Sequence, residues 1–158
     1  MAPPVPPEAA SGKWSLRYEW NAASIPPPDH YEFTIEVSAS GRGEVTFYPD
    51  YSQHDPPAWR EPFAADLAAL DDLLALMIRQ GVFSRTWRRA EQRAVGDSQA
   101  WLKAEAAGKS VSVPAVLSPR DAKVIAPVYQ AIRALVPEAL WDNLIERYHQ
   151  YQSAHSGA

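Results

Sequence analysis

The chain has 158 residues, 46% of them hydrophobic and 22% charged, the composition of one folded domain large enough to bury a core without covalent staples. A net charge of −4 provides no overall attraction to nucleic acid or to an anionic membrane, and zero cysteines exclude disulfides, thiolate nucleophiles and cysteine metal sites. No stretch approaches the roughly 18 apolar residues of a membrane span, and the start lacks the basic and apolar regions of a secretory signal, so a soluble, cytoplasmic protein is expected.

Residues 1–12 carry four prolines and few apolar anchors, which predicts a disordered or polyproline-II arm. A single α+β domain is expected over 13–152, with a fraying tail over 153–158. Residues 13–21 alternate with period two: Trp14, Leu16, Tyr18 and Trp20 on one face, Ser15, Arg17 and Glu19 on the other. That is a half-buried strand. Three consecutive prolines at 26–28 mark a connector. A second strand over 30–38 turns Phe33, Ile35 and Val37 inward, and a third over 44–51 does the same with Val45 and Phe47. Gly41 and Gly43 between them are the expected positive-φ positions of the hairpin.

Residues 52–62 (SQHDPPAWREP) predict a long loop. A helix should come next, with Phe63, Leu67, Leu70, Leu74 and Met77 as its core stripe and Gly81 as its terminator. The segment 82–96 predicts a loop or a short helix. A second hairpin, 99–106 and 109–115, turns at Gly108. Ser118, Pro119 and Asp121 form a helix start, with serine as N-cap, proline at N1 and an acid at N3. Pro127 should kink or split that helix, and Pro137 should open a new one, giving helices near 119–135 and 138–151.

The layout of hairpin then helix therefore occurs twice. The apolar positions differ in parity: Val45 and Phe47 lie two and four past Gly43, Val111 and Val113 three and five past Gly108. The copies share an architecture without residue-level repetition. The fold class that emerges is α+β, a five-stranded, mostly antiparallel sheet with three helices packed on one face.

Four segments carry a family resemblance: YEFTIEVSASGRGEVTFY, LLALMIRQGVF, the glycine-punctuated stretch 96–113, and LVPEALWDNL. In their order the chain resembles small bacterial domains of mostly unknown function, among them the emfourin-like protease inhibitors. The resemblance implies a strand, hairpin, helix, hairpin, helix order over about 14–135, and a role of the inhibitor kind. The lead-in NAASIPPPD has prolines where that family has a glycine-rich turn, and no functional residue is carried across.

Catalytic motifs are missing: there is no GxSxG, no GxGxxG and no phosphate-cradling GxxxxGK[ST]. The reading is non-enzymatic, with no cofactor. Of the four histidines, His54 stands between two aspartates, and Asp50, His54 and Asp55 define an alternative, a metal-dependent hydrolase. The strongest charge asymmetry is 79–93, where Arg79, Arg85, Arg88, Arg89 and Arg93 face one acid, Glu91, with Trp87 among them. Arginine beside an aromatic suits a protein interface, and also an anionic ligand or nucleic acid through residues 85–93. The net charge favours a protein partner. The candidate interface is thus Trp59, Arg60, Arg85, Trp87, Arg88 and Arg89, in the two loops 52–62 and 82–96.

Overall fold

The computed structural model describes residues 14–23, 25–90, 98–106 and 108–155. The expected arm at 1–12, the stretch 91–97 with Arg93, and the last three residues of the expected tail lie outside them.

Six strands form one antiparallel sheet: β1 (Trp14–Asn21), β2 (Glu32–Ser38), β3 (Arg42–Tyr48), β4 (Trp59–Ala64), β5 (Gln99–Ala106) and β6 (Lys109–Val113). Their order is β4-β3-β2-β1-β5-β6, so the first strand in sequence sits in the middle. Three helices cover the sheet: α1 (Leu67–Arg79), α2 (Pro119–Ala134) and α3 (Glu138–His155). None of the described helices is long and apolar enough to cross a membrane.

The sixth strand corrects the expected five. Pro62 argues against a strand over 59–64, where local pattern predicts a loop and the start of a helix. As an edge strand pairing only with β3, β4 tolerates a proline that a central strand would not. Its alternation then becomes legible: Trp59, Glu61 and Phe63 face the helices, Arg60 and Pro62 face away. Phe63 leaves the helical stripe for the sheet, and Leu67, now the first helical residue, is exposed.

Register sets the core. Trp20, Phe33, Phe47 and Trp59 stand directly opposite one another across β1 to β4. Their rings form an aromatic band, with Trp20 stacked on Phe33 at 5.1 Å and Phe47 on Trp59 at 5.6 Å. Helix α3 lies over this band, touching Phe33 with Trp141, Phe47 with Tyr148 and Trp59 with Tyr151. Helix α2 covers the neighbouring row, with Tyr129 against Tyr18 at 4.9 Å.

The ends behave as their residues dictate. Gly81 adopts φ +73 and closes α1 with two hydrogen bonds, Gly81 N–H to Ile78 O and Val82 N–H to Met77 O. The Ser118 hydroxyl accepts from the Asp121 N–H at 3.2 Å, capping α2 as its sequence predicts. Helix α2 has close to its expected bounds and is not split at Pro127, whose side of the helix is exposed, so water can satisfy the carbonyl that loses its donor. Two expectations are corrected. Helix α3 continues to His155, past the expected end near 151, with Tyr151 packed on Trp59. Gly43 does not take a positive φ; the hairpin turns on Gly41 at φ +92, and Gly43 lies inside β3 under the Phe63 ring.

Candidate functional site

The arginine-rich segment begins where α1 ends. Fully buried Val82 plugs the chain into the core, and the Arg85 N–H bonds back to Gly81 O at 2.8 Å. Arg85 then pairs with Asp121 in the first turn of α2 at 2.9 Å and holds its guanidinium 5.4 Å from the Trp87 ring centre. The Trp87 indole N–H donates to Val82 O at 2.9 Å. Ala90 N–H reaches Val116 O beyond β6, fixing the far end. Arg85 and Trp87 are therefore tied to the body. Arg88 and Arg89 between these anchors are exposed and form no ion pair among the described residues.

Trp59 and Arg60 sit at the other edge of the sheet and on opposite faces of β4. Trp59, expected in a loop, stands instead at the end of the aromatic band. It is half-buried: Phe47 stacks on it, Tyr151 meets its edge, and the Arg147 guanidinium lies 4.5 Å above it. Arg147 also reaches Glu61 at 3.2 Å. Arg60 points to the helix-free face and approaches Glu44 at 3.5 Å. The six candidate residues thus form two separate patches, at the β4 edge and beyond the β6 edge.

Asp50 accepts at 3.2 Å from His54, which is exposed, and the backbone of Asp55 lies in the left-handed region at φ 54. Among the described residues no group of three or more His, Asp or Glu side chains converges on a metal position. The histidine with the more developed environment is His30, which is 2% exposed. Its ring bridges Ala23 O at 3.1 Å and the Glu32 carboxylate at 2.8 Å, and stacks on Tyr51. Sequence reasoning misses this pair, although residues two apart in extended chain share a face. Tyr51 donates its hydroxyl to Ile25 O at 2.7 Å, so this cluster clamps the proline connector to the sheet.

A broad concavity lies elsewhere, on the face of the sheet that no helix covers. It is a groove of about 830 Å³ running across the strands. One row of its floor reads Lys103, Arg17, Glu36, Glu44 over β5, β1, β2 and β3. Arg17 bridges Glu19 at 2.7 Å and Glu36 at 2.9 Å, and its hydrogen bond to Glu19 raises its pKa further. The signal in the sequence is the polar half of each strand's alternation, which by itself indicates only a wet face.

On the covered side, burial raises the pKa of Tyr18 and Tyr129, and pushes Tyr148 up to about 12. No family of known proteins and no curated protein matches the chain.

Proposed function

We propose that this protein is a non-catalytic binding domain of the inhibitor or adaptor type, and that the segment after α1 is its contact with an acidic protein surface. The observation that supports this reading is the fixing of Arg88 and Arg89 between the Arg85–Trp87–Asp121 anchor and the Ala90–Val116 hydrogen bond. Two cations held out on a braced segment lose little conformational freedom on binding, and arginine forks suit carboxylates. Trp87 presents the part of its ring that the body leaves open. The Trp59–Arg60 patch at the β4 edge is the secondary contact.

The test is capture of a partner from nuclease-treated lysate by the intact chain and by Arg88→Glu/Arg89→Glu. The double variant should keep its melting temperature and lose a discrete protein partner. Equal capture by both chains, or a partner captured from untreated lysate and absent after nuclease treatment, contradicts the reading.

A further inference from the structure

Two adjacent rows on the helix-free face of the sheet carry a charge pattern that is its own complement. Across the strands the first row runs Lys103, Arg17, Glu36, Glu44: two cations on β5 and β1, two anions on β2 and β3. The neighbouring row runs Glu105, Ser15, Ser38 and then Arg42, with the signs reversed. All of these residues line the one groove. A linear acidic or basic segment laid along it would meet the wrong sign in one row or the other. A two-fold axis lying in the interface, parallel to the strands and between β1 and β2, meets each charge of these two rows with its opposite. Arg17 faces Glu36 of a second copy, Lys103 faces Glu44, and Glu105 faces Arg42. Ser15 and Ser38 meet across the axis.

We infer that the protein self-associates through this face, as a two-fold dimer held by reciprocal ion pairs. Such an arrangement is isologous: each contact occurs twice. Six strands at about 4.8 Å and about six residues of each at about 3.4 Å make a face of about 29 by 20 Å, so the pair buries about 1,200 Å², the lower limit of stable interfaces. The long side chains reaching in from both copies occupy the groove. A contact of this size and polarity is reversible and salt-sensitive.

Sedimentation equilibrium of the intact chain tests it. A dimer should form at about 0.05 M salt and dissociate by about 0.5 M. Lys103→Glu and Glu44→Lys each place like charges opposite one another at two symmetric positions. Each should therefore weaken the dimer by about tenfold or more while leaving the melting curve intact. An equimolar mixture of the two single variants should regain the dimer mass, because each then meets its complement, and the combined variant should do so alone. Arg42→Glu mixed with Glu105→Arg repeats the test in the adjacent row. A chain that stays monomeric at low salt, or a dimer indifferent to the single reversals, overturns the proposal.

Discussion

Tyr129 has a hydroxyl that is buried without a hydrogen-bond partner among the described residues, while its ring packs on Tyr18. An unsatisfied buried hydroxyl costs more than it returns. Tyr129→Phe keeps the ring and removes that group, so it should raise stability by about 1 kcal/mol, or about 3 °C in the melting temperature. Trp59 behaves in the opposite sense. With Phe47, Tyr151 and Arg147 around it, Trp59→Ala should cost about 2–3 kcal/mol in denaturant unfolding. An unchanged midpoint would return Trp59 to the surface role that its sequence context suggests. In the sequence, Trp59 and Trp87 are aromatics without a periodic reason for burial. The packing that uses them is not legible there, because the partners are distant along the chain: Arg147 for Trp59 and Val116, through Ala90, for the Trp87 segment.

Among the elements, β1, β2, β5 and all three helices follow from local pattern, because alternation, caps and turn glycines are local properties. Strand β4 does not. Its recognition depends on β3 having a free edge, which is a property of the whole sheet and outweighs a proline in a short segment. The joint between these two strands is Gly43 under Phe63: a Cβ there would overlap the ring. Gly43→Ala should therefore cost about 2 kcal/mol and loosen β4 before the rest of the sheet. Hydrogen exchange checks this, with protection lost first over 59–64. Uniform loss across the sheet would show that β4 is not a separable edge. The helix-free face is equally illegible in the sequence, since only the register brings Lys103, Arg17, Glu36 and Glu44 into one row.

At the scale of the molecule, the tyrosines set a limit on alkaline stability. Tyr148 keeps its proton to about 12 in the folded chain, against an ordinary value of 10.0, and burial raises Tyr18 and Tyr129 in the same direction. Below about pH 10 these groups are protonated in both states and their contribution is complete. Above it the unfolded chain sheds protons that the folded chain retains, so stability falls as pH rises toward 12. The melting temperature should be level to about pH 9 and drop steeply above about pH 10. A level profile through that window would contradict the burial of these hydroxyls.

Across the whole molecule the proposed binding role divides the labour of the two candidate patches: their aromatic residues pack on the fold, and Arg88 and Arg89 are the proposed partner contact. Parallel melting curves and partner capture for Trp59→Ala and for Arg88→Glu/Arg89→Glu separate the two roles. The first variant should melt at a lower temperature, and the second should melt unchanged and lose its partner. Capture that survives the loss of both arginines would contradict this division.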